Sequence, residues 1–147
     1  MTAVVWFRQD LRVADQAALR AAADAGGTVL PLYVLDDVSP GRWRMGGASR
    51  WWLHESLVSL GRDLAALGAP LLLRRGVATT VIRDLVRETD AVGVFFTRQV
   101  EPWWRESERQ LEADLPKAGV TVKGFAGATL FKPGTVLSQQ GSPFKVF

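Results

Sequence analysis

Five short apolar runs alternate with helix-patterned stretches along the chain, and that alternation constrains the fold more than any single residue. The first run, Val4-Val5-Trp6-Phe7, leads into the charged turn Arg8-Gln9-Asp10-Leu11-Arg12. A helical stretch follows. Asp15 stands where a carboxylate can cap a first turn, residues 16–25 are Ala-rich and helix-favouring, and Gly26-Gly27 ends the pattern. Residues 28–35 read as the second strand. Pro31 cannot donate to a ladder, so it should sit near the strand start or where its amide position has no partner.

Residues 36–47 form a loop longer than an ordinary connection, which favours a functional role. Ser49 can cap the next helix, whose leucines at 53, 57, 60, 64 and 67 fall on one stripe, and Gly68 ends it. Residues 70–74 give a third strand. Thr79 or Thr80 opens a third helix with Ile82, Leu85 and Val86 inward. Residues 91–96 are a fourth strand. Pro102 suits a first helical position, and that helix should run to about Ala118, with Gly119 beyond it. Residues 120–125 complete a fifth strand, and from Gly127 the pattern becomes irregular.

This order predicts an α/β protein: a Rossmann-like open five-stranded parallel sheet, order 3-2-1-4-5, with helices on both faces. Ligands of such sheets sit beyond the carboxyl ends of the strands, where the order reverses. The predicted crevice is lined by residues 7–12 and 97–103, with 33–37 beside it.

Composition narrows the chemistry. The chain has 147 residues, about one domain's worth, and a net charge of +3 with scattered basic residues, which argues against a nucleic-acid surface. Cys is absent, which excludes disulfides and thiolate metal sites and fits a reducing cytoplasm. His54 is the only histidine. No apolar run is long enough to span a bilayer, and no secretory signal is expected. Neither G-x-G-x-x-G nor a P-loop is present, so a standard dinucleotide or P-loop ATP site is not expected. The crevice instead offers aromatics (Phe7, Tyr33, Trp103), acids (Asp10, Asp36, Asp37, Glu101) and arginines (Arg8, Arg12, Arg98), a set suited to a planar heterocycle. Each has a plainer role open to it: a turn cap or ion pair for Asp10 and Arg12, a loop cap for Asp36, a helix-start acid for Glu101. Trp51 and Trp52 read as packing residues, and His54 as a helix-start or surface residue.

Trp6-Phe7-Arg8-Gln9-Asp10-Leu11-Arg12, followed by Asp15-Gln16-Ala17-Ala18-Leu19, resembles the W-F-R-x-D-L-R and D-N-x-A-L opening of the photolyase/cryptochrome family. Arg50-Trp51-Trp52-Leu53-His54-Glu55-Ser56-Leu57, Glu101-Pro102 with Arg105, Glu106 and Arg109, and Gly141-Ser142-Pro143-Phe144-Lys145-Val146-Phe147 resemble further family segments in order and spacing. The resemblance implies an antenna domain over residues 1–130 and the start of an interdomain linker over 131–147, the FAD-binding helical domain lying outside this chain.

On that resemblance, the chain is the light-harvesting, chromophore-binding domain of a deoxyribodipyrimidine photolyase. It would pass excitation energy to FAD for light-driven repair of pyrimidine dimers in DNA. The lyase chemistry belongs to the other domain, so no catalytic residue and no metal ligand is assigned here. Position by position, the chromophore site would use Gln9, Tyr33, Asp36, Arg50, Gln99 and Glu101. Folate-binding members often carry Asn-Glu just after this Glu-bearing turn, where Trp103 and Trp104 stand here. This favours 8-hydroxy-5-deazaflavin over methenyltetrahydrofolate or a second flavin, although Gln99 replaces an Asp common in deazaflavin binders and Gln16 the usual Asn. The implied partners are the C-terminal FAD-binding domain and, through the parent protein, damaged DNA; a membrane is not among them. Phe125, Phe131, Phe144 and Phe147 are candidates for an apolar surface that the helical domain covers. Two other readings share the sheet: the N-terminal domain of a cryptochrome-type blue-light photoreceptor, and a stand-alone nucleotide-binding α/β domain.

Overall fold

The computed structural model describes residues 1–127, 129, 131 and 134–142. Strands β1 (Thr2–Phe7), β2 (Thr28–Leu35), β3 (Leu72–Arg75), β4 (Ala91–Thr97) and β5 (Thr121–Phe125) alternate with helices α1 (Ala17–Asp24), α2 (Gly47–Ala66), α3 (Ala78–Thr89) and α4 (Pro102–Asp114). The strands form one sheet of order β3-β2-β1-β4-β5, parallel throughout. The predicted fold class and strand order are therefore those observed.

Strand alternation divides the core into two layers. Ala3, Val5 and Phe7 of β1 face α1 and α2, where they meet Ala18, Ala22, Leu60 and Leu64. Val4 and Trp6 face α3 and α4, where they meet Ile82, Leu85, Val86 and Leu111. β1 is buried on both faces, which explains its unbroken apolar sequence. Pro31 pairs in register with Val5, but β3 joins β2 only from Leu32 onward, so Pro31 has no ladder neighbour on the β3 side.

Several expected caps differ. Asp15 does not cap α1; it adopts a left-handed φ of 51°, and Gln16 is the N-cap, its side chain accepting from the Ala18 amide. The longer Gln side chain also donates to Asp10 and accepts from Thr97, so one residue ties the helix start to the ends of two strands. α2 starts at Gly47 rather than at a Ser49 cap, and α3 starts at Ala78 with neither Thr79 nor Thr80 as its cap. The helix after β4 ends at Asp114, and a 3-10 turn (Leu115–Ala118) finishes the segment because Pro116 cannot supply the amide a continuing α-helix needs. Phe125 is half-buried and stacks on Phe95 at 6.4 Å, whereas Phe131 is exposed. Phe144 and Phe147 lie outside the described residues. Among the described residues, no helix is long and apolar enough to cross a membrane.

Gly27 closes the α1–β2 turn with φ +115°, and a Cβ there would lie 2.1 Å from the Met1 carbonyl oxygen. That oxygen accepts the Thr28 amide at 2.9 Å and starts the β1–β2 pairing. Gly27→Ala is expected to destabilise the fold by about 1–3 kcal/mol through backbone strain alone. Urea unfolding checks this, and an unchanged midpoint would show that the turn relaxes freely.

Candidate functional site

At the carboxyl ends of β1 and β2 lies a cavity of about 890 Å³, within the range of small-molecule sites. Its floor is Arg8, Gln9 and Leu11 from the end of β1, with Tyr33, Val34 and Asp36 from the end of β2. Pro40, Trp43 and Met45 of the 36–46 segment form one wall, and Trp51, Trp52 and Leu53 of α2 another. Trp103 and Trp104, at the start of α4, close the far side.

The cavity is displaced from the predicted crevice, toward β2 and α2. Residues 97–100 do not line it. Their turn is drawn onto α4 instead: the Gln99 amide donates to Glu108 Oε1 at 2.9 Å, and Arg98 pairs with Glu108 and Glu112. On the other side, α2 is 20 residues long, about 30 Å at 1.5 Å per residue. This exceeds the span of the strands it covers. Its second half buries Leu60 and Leu64, while its first half overhangs the sheet edge. Trp51 and Trp52 are therefore 64% and 69% exposed, and they pack on each other at 6.5 Å rather than in the core. Leu67, the last of the leucine stripe, is exposed as well.

The six residues singled out from the sequence occupy different surroundings. Gln9, Tyr33 and Asp36 line the cavity. Glu101 stands behind Gln9, accepting from its Nε2 at 2.6 Å. Glu101, Arg50 and Gln99 are not among the lining residues. Arg50 donates to the Met45 carbonyl and pairs with Asp37 at 2.5 Å, bracing the 36–46 wall. Gln99 is buried and donates to the Thr97 carbonyl.

Asp36 has both oxygens engaged inside the protein. Oδ1 accepts from the amides of Val38 and Ser39, and Oδ2 from the Ser39 hydroxyl and the Ala78 amide. Asp10 caps its own turn by accepting the Arg8 amide at 3.1 Å, while Arg12 donates to the carbonyls of Ala14 and Asp15. His54 is exposed on α2.

Beneath the cavity lies a buried charge. Arg8 is 4% exposed, and its guanidinium sits over Trp6 at 4.0 Å, with Phe96 and Trp104 further out. Arg8 meets Glu108 at 2.7 Å and donates to the Thr97 carbonyl at 2.5 Å. Burial pulls the Arg8 pKa down and Glu108 opposes it; the guanidinium stays protonated at neutral pH. Tyr33 is pushed up to about 12, mainly by burial and then by Asp37. It therefore offers the cavity a neutral hydroxyl at any physiological pH. Hydrogen bonding from Arg50 holds the Asp37 carboxyl below the usual range.

Among the described residues, buried side-chain atoms without a hydrogen-bond partner include Glu101 Oε2 and Trp103 Nε1, along with Trp6 Nε1 and two nitrogens of Arg8, one of which is ion-paired with Glu108. Trp103 lines the cavity whereas Glu101 lies behind Gln9, and the indoles and the phenol around the space suit a flat heterocycle with polar edges. Trp43, Met45 and Glu108 were not singled out as site residues from the sequence. The Trp51-Trp52 pair carried a signal, since adjacent helical residues point about 100° apart and cannot both join one buried stripe.

The DNA photolyase family model matches residues 3–147. A deoxyribodipyrimidine photo-lyase of Agrobacterium fabrum is 39% identical over 144 residues, covering 98% of this chain and 29% of that protein. Cryptochrome-2 of Arabidopsis thaliana is 34% identical over 145 residues, covering 98% of this chain and 24% of that protein. A crystal structure of a bacterial class III photolyase from Agrobacterium tumefaciens superposes with a TM-score of 0.90 at 37% identity, covering 99% of this chain and 30% of that one. The chain thus spans under a third of the length of these relatives.

Proposed function

The chain belongs to the DNA photolyase family, and from that premise we propose that it is the light-harvesting domain of a deoxyribodipyrimidine photolyase. The observation that carries the reading is the aromatic-walled cavity of about 890 Å³ at the carboxyl edge of the sheet. The bound group would absorb near-ultraviolet or blue light and pass the excitation to FAD held by a C-terminal domain, which acts on pyrimidine dimers in DNA. Residues 1–130 form the antenna unit in this reading and 131–147 begin the linker. No bond is made or broken in this domain, so its residues have only to bind, orient and shield the chromophore.

Trp43, Trp51, Trp52 and Trp103 supply flat apolar walls, and Tyr33 a neutral hydroxyl. Gln9 and Glu101 form a hydrogen-bonded pair at the polar end. The favoured chromophore is 8-hydroxy-5-deazaflavin, with methenyltetrahydrofolate and a flavin next. Titration of the protein with each, followed by absorption and fluorescence, tests the reading. Saturable binding with a shifted band supports it; no binding of any of the three overturns it. Glu101→Gln is expected to weaken chromophore binding about tenfold, the worth of one charge-assisted hydrogen bond. Unchanged affinity would limit Glu101 to its contact with Gln9.

A second reading is favoured by the similarity to Arabidopsis cryptochrome-2 along nearly the whole chain. There the same cavity would serve a blue-light photoreceptor. Repair of a dimer-containing oligonucleotide by the parent protein under blue light separates the two.

A further inference from the structure

The 36–46 wall carries charge that the fold does not use. It is pinned at one end by Asp36, through the amides of Val38, Ser39 and Ala78, and at the other by Arg50, which donates to the Met45 carbonyl at 3.1 Å. Between these anchors a 3-10 turn (Gly41–Trp43) sets Trp43 against the cavity and leaves Arg42 and Arg44 exposed on either side of it. The Arg42 guanidinium lies over the Trp43 ring at 5.0 Å. Neither Arg42 nor Arg44 has an ion-pair partner among the described residues.

Neighbouring groups do not offset them. Asp37 is one carboxylate shared by two guanidiniums, Arg50 at 2.5 Å and Arg75 at 3.3 Å. Asp36 is buried and committed to four donors. Four arginines here face two aspartates, a surplus of two in a chain whose net charge is only +3. Inside the cavity the one guanidinium, Arg8, is already paired with Glu108. A ligand's aromatic body is thus met by neutral walls, and the unmatched charge of Arg42 and Arg44, which do not line the cavity themselves, flanks the lining residue Trp43.

We propose that the cavity's ligand carries an anionic tail, phosphate or carboxylate, which Arg42 and Arg44 receive at the rim. This rests on the chromophore reading and adds the chemical class of ligand, moving the preference from 8-hydroxy-5-deazaflavin, whose side chain is neutral, to a folate, a flavin nucleotide or a tailed deazaflavin. Exposed guanidiniums bind anions in a salt-dependent way, since a Debye length at 0.15 M is only about 8 Å. Their planar forks suit both carboxylate and phosphate.

The test uses ligand pairs that differ in the tail: riboflavin against FMN, glutamate-free methenyltetrahydropteroate against polyglutamyl methenyltetrahydrofolate, and 8-hydroxy-5-deazaflavin against its phosphorylated, glutamylated form. Dissociation constants are measured by fluorescence at about 0.05 M and about 0.5 M salt, in the wild type and in the R42A/R44A double variant. The expected result is that the tailed member binds about tenfold tighter at low salt. That ratio should fall toward one at high salt and in the double variant. Because it compares two ligands on the same protein, a fold defect does not move it. The flavin pair reads phosphate and the folate pair carboxylate, while the deazaflavin pair adds both. Equal affinity within every pair that binds, or a preference that survives R42A/R44A, overturns the proposal while leaving the chromophore reading intact. Failure of all six ligands overturns the chromophore reading and the proposal with it.

Discussion

Replacing Glu108 by Ala is expected to destabilise the protein by about 3–5 kcal/mol, the cost of leaving a buried charge without its partner. The side chains of Arg8 and Glu108 are only 2% and 4% exposed and meet at 2.7 Å. Removing the carboxylate leaves the guanidinium enclosed by Trp6, Phe96 and Trp104, and its attraction to the ring faces is worth about 1–2 kcal/mol, too little to replace an anion. The Gln99 amide also loses its acceptor. Glu108→Gln keeps the volume and an acceptor oxygen but not the charge, so it should recover only part of the loss. The informative control is the double variant R8M/E108L, in which both charges are gone. It should be far closer to wild type than either single change, because well-packed apolar residues often replace a buried pair at little cost. Urea unfolding of wild type, R8M, E108L and R8M/E108L closes the cycle. A loss under about 1 kcal/mol for Glu108→Ala would mean that water reaches Arg8 and that the pair behaves as a surface one.

This pair also explains why the cavity lies where it does. The switch point between β1 and β4 was the expected binding place, yet Glu108 fills that side: it takes Arg8 from β1 and Gln99 and Arg98 from the β4 turn onto α4. The cavity lies on the β2 side, under the overhanging half of α2. A contact between residues a hundred positions apart has no local signature, so neither periodicity nor turn chemistry could reveal it. By contrast, the strand order, the two-faced burial of β1 and the inward face of α3 were legible, because each follows from a repeating apolar pattern that the chain carries locally.

The caps show where local reading stops. Asp15 and Gln16 are adjacent and both can accept from a helix start. The choice fell to Gln16 because only it also reaches Asp10 and Thr97. The leucine stripe of α2 likewise runs past the sheet that would bury it, so pattern and burial part at Trp51, Trp52 and Leu67. The motifs that carry the family resemblance, in contrast, were readable as they stand, and they fall on the end of β1 and on the start of α2, two of the elements that bound the cavity.

Asp36→Ala should be the second most damaging change, at about 3 kcal/mol, and its damage should be concentrated at the cavity. The carboxylate is 5% exposed and takes four donors: the Val38 and Ser39 amides at 2.9 and 2.8 Å, the Ser39 hydroxyl at 2.6 Å and the Ala78 amide at 2.8 Å. Hydrogen bonds to a charged acceptor are worth about 1.5–3 kcal/mol each when removed, but the exposed loop amides can turn to water. The irreducible part is Ala78, the first residue of α3, whose amide is buried and whose helix N-terminus loses a favourably placed negative charge. Asp36→Asn separates the two contributions. Its amide oxygen can keep one set of donors, while its NH2 group faces the other set and repels it, so an intermediate loss of about 1–2 kcal/mol is expected. Ser39→Ala, which removes one neutral hydroxyl, should cost about 1 kcal/mol or less. If Asp36→Asn equals wild type, the charge is irrelevant and Asp36 is only a turn-former. The functional readout follows from position. The released segment carries Trp43 and Met45, so chromophore affinity should fall in proportion to loop release, while the unfolding midpoint reports the Ala78 contact separately. An Asp36→Ala protein that keeps full affinity would show that the 36–46 wall takes no part in holding the ligand.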